Sequence, residues 1–295
     1  MGMRTSLIAA AVAVPLALGA CGTTHVDAAG ARLVAASWPV RALLEELIGA
    51  GGSRLAYPII DLAPTGVEPH DLELTADDRV SVEQARAVVY VGGGFQPSLE
   101  RAIDPERDID LLSFVDAPLT AGDDGSVDPH VWLDPGRWAA IARGLGHELS
   151  ELDIGPEGID APELVAGDLE ALDADLRDGL ADCARREFFT EHAAFAYIAD
   201  AYGLEQVALT GVSPEAEATA PRLQAAAQRA RAAGATTVFT ERGGEGRLAT
   251  TLAEEAGGLQ VAELDPLEFA FDVSETYEDR MRANLDALRD ALECP

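Results

Sequence analysis

The sequence predicts an α/β protein: two parallel-sheet βα lobes that face each other across a cleft, joined by one long rigid helix. Three observations predict it. Short strand-like and helix-like stretches alternate from residue 32 to about 156. A leucine-periodic stretch then occupies about 157–183, and the alternation restarts at 184 and runs to 295. Strands that alternate with helices form parallel sheets with right-handed crossovers, so two such runs imply two sheets.

Residues 1–20 read as a targeting segment rather than as part of the fold. Arg4 supplies a positive region, and residues 7–18 form an apolar run too short to cross a bilayer. The run ends in Leu18-Gly19-Ala20-Cys21, which resembles a bacterial lipobox, so Cys21 is the expected site of lipidation. A plain secretory cleavage near Ala20 is the alternative. Residues 21–31 read as a flexible tether in which His25 is solvated.

The N-terminal lobe, 32–156, begins with a strand at 32–37, a helix at 40–48 and a second strand at 55–60. Thr75 and Asp78 mark the start of the next helix as a capping box. Residues 87–91 are continuously apolar, as a strand buried on both faces should be. Gly92-Gly93-Gly94 lacks the Lys and Ser/Thr of a phosphate loop and reads as a tight turn. A fourth strand is expected at 109–114. After it comes Asp128-Pro129-His130-Val131-Trp132-Leu133-Asp134-Pro135, which holds an imidazole on a stiff turn. Asp134 is a good N-cap and Pro135 a good first helical residue for a helix to about 152. His147 falls beside that helix's apolar stripe and reads as a surface or boundary residue.

Leu164, Leu169, Leu172, Leu176 and Leu180 recur at helical spacing in the joint. A helix of about 22 residues spans ~33 Å and can bridge two lobes as a stiff rod. An ordinary amphipathic helix packed on one lobe is the alternative. In the C-terminal lobe, 184–295, strands are expected at 187–190, 206–210, 236–240 and 260–264. Helices are expected through 202, ending near 234, over 246–256 and over 274–292. Three cysteines are present; if Cys21 carries lipid, Cys183 and Cys294 remain as a pair for an oxidising compartment. Two unrelated buried thiols are the other reading.

Composition excludes some functions. The 295 residues carry 52 acidic and 21 basic side chains, a net charge of −31, and no Lys. Nucleic-acid binding wants a basic face, so it is excluded as the expected function. The acidity itself is expected to serve solubility first.

Ligands of parallel sheets bind beyond the carboxyl ends of the strands. His70, in Glu68-Pro69-His70, and His130 lie at that edge in one lobe; His192, Glu241 and Asp265 lie there in the other. Facing edges would gather His70, His130, His192 and Asp265, a tetrahedral zinc set of three imidazoles and one carboxylate. Nitrogen donors suit Zn2+ better than Ca2+ or Mg2+. Glu241 is the candidate to replace or assist Asp265. Glu68 and Asp128 are candidates to orient the imidazoles.

These motifs, with Gly66-Val67-Glu68-Pro69-His70-Asp71-Leu72-Glu73, Thr190-Glu191-His192-Ala193-Ala194-Phe195-Ala196-Tyr197, Gly211-Val212-Ser213-Pro214-Glu215-Ala216-Glu217 and Leu264-Asp265-Pro266-Leu267, resemble the substrate-binding lipoproteins of bacterial zinc/manganese ABC importers. The resemblance covers nearly the whole mature chain. It implies ligands at His70, His130 and His192 and a carboxylate at or near Asp265. Manganese and iron members commonly carry Glu at the third position, so His192 points to the zinc branch. Many zinc members carry a His-rich acidic loop before the second ligand; here residues 116–128 include Asp123 and Asp124 but no His. The resemblance further implies a non-enzymatic, extracytoplasmic monomer, held to the membrane only by its lipid. It would deliver Zn2+, as transported ligand, to a permease and its ATPase, with a periplasmic or surface metallochaperone as a further partner. The alternatives are a Mn2+/Fe2+ protein of the same fold, a zinc-dependent hydrolase, or a metal-dependent adhesin.

Overall fold

The first strand, Leu33–Ala35 (β1), is wholly apolar and wholly buried. Such a strand needs a partner on each edge and cover on each face. In the computed structural model, Ile59–Asp61 (β2) and Ala87–Tyr90 (β3) flank it in parallel, with Val34 level with Ile60 and Val88. Ile109–Asp110 (β4) completes the order β2-β1-β3-β4. The described residues are 32–49, 58–64, 67–121, 125–155, 160–212, 218–271 and 274–295. Cys21, the targeting segment and tether at 1–31, the strand start at 55–57, Asp123, Asp124 and most of the 211–217 motif lie outside them.

The helices of this lobe are Trp38–Gly49 (α1), Ala76–Gln84 (α2), the short Pro97–Glu100 (α3) and Pro135–Glu151 (α4). The expected caps are present. Thr75 and Asp78 exchange the hydrogen bonds of a capping box, and the Asp134 side chain accepts from the Arg137 N–H at 3.1 Å. His147 is exposed on α4. One expected strand is much shorter than predicted. After Asp110 the chain turns into a 3-10 helix, Leu111–Phe114. The Asp110 carboxylate causes the turn, since it accepts from the N–H groups of Leu112 (3.0 Å) and Gly92 (2.9 Å). A Cβ at Gly92 would lie 2.4 Å from that carboxylate, so the glycine makes room for a cap, not a phosphate. A small hairpin, Thr120–Ala121 (β5) with Ser126–Val127 (β6), then leads to His130.

The second sheet repeats the plan with Glu187–Thr190 (β7), Glu205–Ala208 (β8), Thr237–Glu241 (β9) and Gln260–Leu264 (β10), in the order β10-β9-β7-β8. Ala196–Tyr202 (α6), Ala220–Ala233 (α7), Arg247–Glu255 (α8) and Tyr277–Leu292 (α9) cover it.

The joint is the helix Ala161–Leu180 (α5), 20 residues and so about 30 Å long. It lies along α4 and also touches α1, α6 and α9. Leu169, Leu172, Leu176 and Leu180 enter a single apolar core that also holds Leu33, Trp138, Phe188 and Met281. The spine is therefore shared by both lobes. Leu164 departs from the expected stripe: it is 54% exposed, and Ala161 and Val165 take the inward positions.

Cys183, just past α5, is disulfide-bonded to Cys294, just past α9, closing 111 residues of chain. A cross-link of that span restricts the unfolded chain strongly. Replacing Cys294 with Ser should lower unfolding free energy by about 2–5 kcal/mol, read from denaturant curves. Curves that superimpose with and without reductant would show that the bond adds nothing.

Candidate metal centre

Each sheet delivers its imidazoles at its carboxyl edge, as parallel sheets do. His70 stands in the turn after β2. His130 precedes a 3-10 turn, Val131–Leu133, that runs into α4. His192 stands in the bend after β7, four residues ahead of α6 rather than at its start. Thr190 Oγ1 and Gln206 Nε2 both donate to the His192 carbonyl, at 2.8 and 2.9 Å, and hold that bend. The ring centroids are 5.4 Å apart for His70 and His130, 5.5 Å for His130 and His192, and 6.3 Å for His70 and His192.

The carboxylate among them belongs to Glu268. One ligand atom from each of His70, His130, His192 and Glu268 lies within 4.8 Å of all the others. Glu268 Oε1 is 3.0 Å from His130 Nε2 and 3.6 Å from Nε2 of both His70 and His192. Nε2 of His70 and of His192 and Oε2 of Glu268 are buried and have no hydrogen-bond partner. Orphaned buried donors and acceptors that converge on one point fit a small cation.

Asp265, expected as the fourth ligand, is engaged elsewhere. Its carboxylate receives a two-pronged ion pair from Arg280, Nε to Oδ2 at 2.7 Å and Nη2 to Oδ1 at 2.6 Å. Arg242 lies 3.3 Å from the same group, and the Leu267 N–H donates to Oδ1 at 2.8 Å. Asp265 therefore builds the turn after β10, and Leu267, at φ +60°, completes it and aims Glu268 inward. Sequence reading missed Glu268, although it is the next acid along Leu264-Asp265-Pro266-Leu267-Glu268. The available signal was that an Asp before Pro so often serves as a turn cap.

The other carboxylates sit behind the ligands. Asp128 accepts from His130 Nδ1 at 2.8 Å and from its backbone N–H at 2.9 Å. Glu241 is hydrogen-bonded to His192 Nδ1. A carboxylate on Nδ1 puts the proton there and leaves Nε2 as the donor toward the centre. Glu68 holds the His70 backbone instead, accepting its N–H at 3.2 Å. Phe95 and Trp132 close the apolar side, 4.7 Å from the His70 ring and 5.3 Å from the His130 ring.

Burial and charge oppose each other here. Burial disfavours the Glu268 carboxylate, but the hydrogen bond from His130 and the imidazoles of His192 and His70 just beyond bonding distance outweigh it and hold the group well below the usual range. Burial likewise disfavours a charged His192, yet Glu241 and Glu268 push it up to about 10. Burial also opposes a charged His130, and Asp128 and Glu268 raise it nonetheless. His70 is lowered by burial, which its contact with Glu268 only partly offsets. Glu68 is raised to about 7, first by burial and then by the charges of Glu268 and Glu241.

Two parallel-sheet lobes on a shared helical spine, with three imidazoles and one buried carboxylate between their strand ends, define a two-lobed α/β protein with a candidate metal site in its cleft. The sequence profile of the family described as zinc-uptake complex component A, periplasmic, matches residues 45–291. The chain belongs to that family. It is 28% identical to the zinc-binding protein AdcA of Streptococcus pyogenes serotype M1, over 88% of this chain and 55% of that protein. With the zinc-binding lipoprotein AdcA of Streptococcus pneumoniae serotype 4 the identity is 31%, over 79% of this chain and 51% of that one. The chain thus spans about half the length of these relatives. The high-affinity zinc uptake system protein ZnuA of Bacillus subtilis is 28% identical, over 94% of each chain. Among solved structures, the laminin-binding protein Lmb of Streptococcus agalactiae superimposes with a TM-score of 0.74 at 25% identity. That superposition covers 89% of this chain and all of Lmb, which is described as bifunctional, with adhesin and metal-transporting activity. Among the described residues, no helix is long and apolar enough to cross a membrane.

Metal binding at Nε2 must displace the proton that a charged His192 holds there toward Glu268, while the Nδ1 proton stays on Glu241. A free imidazole would give an affinity that falls below about pH 6.5. A raised His192 moves that fall upward: the proton is bound at all pH values below about 10, so it competes with the ion throughout the neutral range. Calorimetry in buffers of different ionisation enthalpy should find roughly one or more protons released per ion at pH 7.5. Affinity that stays flat from pH 7 to 9 would contradict this.

Proposed function

We propose that this chain captures Zn2+ at His70, His130, His192 and Glu268 and passes it to an ABC-type importer. One observation carries the reading: the four ligand atoms converge within 4.8 Å, and three of the four residues keep an unpartnered polar atom. Three imidazoles and one carboxylate suit tetrahedral zinc. His rather than Glu at position 192 favours zinc over manganese or iron. Four protein ligands leave no open position for a reactive water, which favours capture over hydrolysis. The family description and the names of the relatives, which are zinc-binding and zinc-uptake proteins, support the same cargo.

The remaining assignments accompany that reading. Residues 1–20 are removed, Cys21 carries the lipid, and 21–31 tether a body made of the lobe at 32–156, the joint at 157–183 and the lobe at 184–295. A permease and its ATPase receive the ion. A spine packed into both lobes resists wide hinge bending, so release proceeds through small lobe shifts and local rearrangement of the ligand loops.

The test is a competition titration of metal-stripped protein with zinc against a chelator of known affinity, beside His192→Ala. The wild type should bind one ion tightly. The variant should lose about 100-fold or more, since orienting partners alone are worth up to that much. Loose, multi-site binding that is equal in both proteins would mean that the acidic surface, not the cleft, holds the metal.

A further inference from the structure

Glu268 occupies a segment that is neither helix nor strand: from Asp265 to Phe271 the chain makes only bends. Nothing in a ladder or helix holds this ligand, yet it is fully buried. Its position is set by side chains that grip the chain on both sides of it. Arg280, on α9, binds the Asp265 carboxylate through Nε and Nη2, and its Nη1 donates to the Phe269 carbonyl at 2.7 Å. One guanidinium thus fastens the residue three before the ligand and the residue one after it. Asn284, one helical turn on, exchanges two hydrogen bonds with the Asp265 backbone, at 2.8 and 2.7 Å.

The grip also reaches the other lobe. Arg280 is 2% exposed, and its guanidinium carbon lies 4.0 Å from the ring centroid of Trp38, at the start of α1. Trp132, two residues past His130, donates its Nε1–H to the Pro266 carbonyl at 2.8 Å, and Tyr277 Oη donates back to the Trp132 carbonyl at 2.6 Å. Trp132 therefore seats this C-terminal-lobe segment directly, and Trp38 seats it through Arg280.

We propose that Arg280 is a positioning residue for the metal site, one that sets Glu268 against the three imidazoles and ties that ligand to the relative placement of the lobes. The inference rests on the metal-capture reading above. A shift of one lobe draws Trp38 off Arg280 and Trp132 off the segment, and the carboxylate ligand then leaves the ion first. Arg280 also holds Asp265 as a turn builder and keeps a second carboxylate out of the ligand set. Lysine cannot replace it, because an ammonium cannot bind a carboxylate in two-pronged fashion, reach a carbonyl and lie flat on an indole together.

The test measures zinc dissociation by chelator chase in the mature protein, in Arg280→Lys, in Glu268→Gln and in the double variant. Arg280→Lys should speed dissociation about 10- to 100-fold, the usual cost of losing a partner that orients a ligand. In the Glu268→Gln background, the same substitution should change the rate by no more than about twofold, because Arg280 acts through Glu268. Equal effects in both backgrounds would overturn the proposal, since a merely structural arginine weakens the site whatever stands at 268. Should Arg280→Lys fail to fold, Trp132→Phe keeps an aromatic ring but loses the pyrrole half of the indole and with it the bond to Pro266; it should speed dissociation in the wild-type background and by no more than about twofold in Glu268→Gln. Tight binding by the wild type that Glu268→Gln weakens, with no such coupling, sinks this inference and leaves the capture reading standing. Failure of the wild type to bind zinc tightly sinks both.

Discussion

One buried carboxylate set against three buried imidazoles is the constraint on which the rest depends. Glu268, His130 and His192 are each no more than 1% exposed. Groups so placed cannot borrow water, and a single carboxylate oxygen cannot satisfy three Nε2 atoms at once. Positive charge at its centre would satisfy the cluster, and protons and a divalent cation would compete for that role. Asp128 and Glu241 supply the opposing charge from behind and fix which nitrogen points inward. The proposed affinity and proton release both rest on that arrangement.

The fold exists to bring this cluster together from two sheets. Parallel strands aim their carboxyl edges the same way, so each lobe offers its loops to the cleft without special geometry. What is particular is how the edges are kept in register. The spine α5 shares one apolar core with both lobes, and the disulfide fastens the chain beyond its end to the chain beyond α9. Polar contacts then fix the last fraction of an ångström: Tyr197 Oη donates to the Asp128 carbonyl at 3.2 Å, and Trp132 donates to the Pro266 carbonyl. Bulk packing sets where the lobes lie, and a few hydrogen bonds set where the ligands lie.

Much of this was legible in the chain. An imidazole beside a proline, ahead of a cap-and-proline helix start, has little freedom, and that made His130 readable. The restarted alternation of strands and helices placed His192 opposite it. Asp265 and Glu268 were not separable by the same reasoning, because both follow β10 and both are acids. The choice between them depends on Arg280, which approaches from 15 residues away along a different helix. It depends also on a non-glycine residue, Leu267, taking a left-handed conformation. Local pattern carries neither fact. The shortened strand after Ile109 has a more local cause: the Asp110 side chain takes the N–H of Leu112, two residues on, from the sheet.

Zinc K-edge X-ray absorption of the mature protein loaded with one equivalent of zinc tests the central claim most directly. The account predicts three imidazole nitrogens and one carboxylate oxygen at about 2.0–2.1 Å, and no sulfur. It predicts that Glu268→Gln alters this spectrum more than Asp265→Asn, which loosens only the turn behind the ligand. A six-coordinate oxygen-rich shell, or a spectrum that changes with Asp265 and not with Glu268, would contradict it.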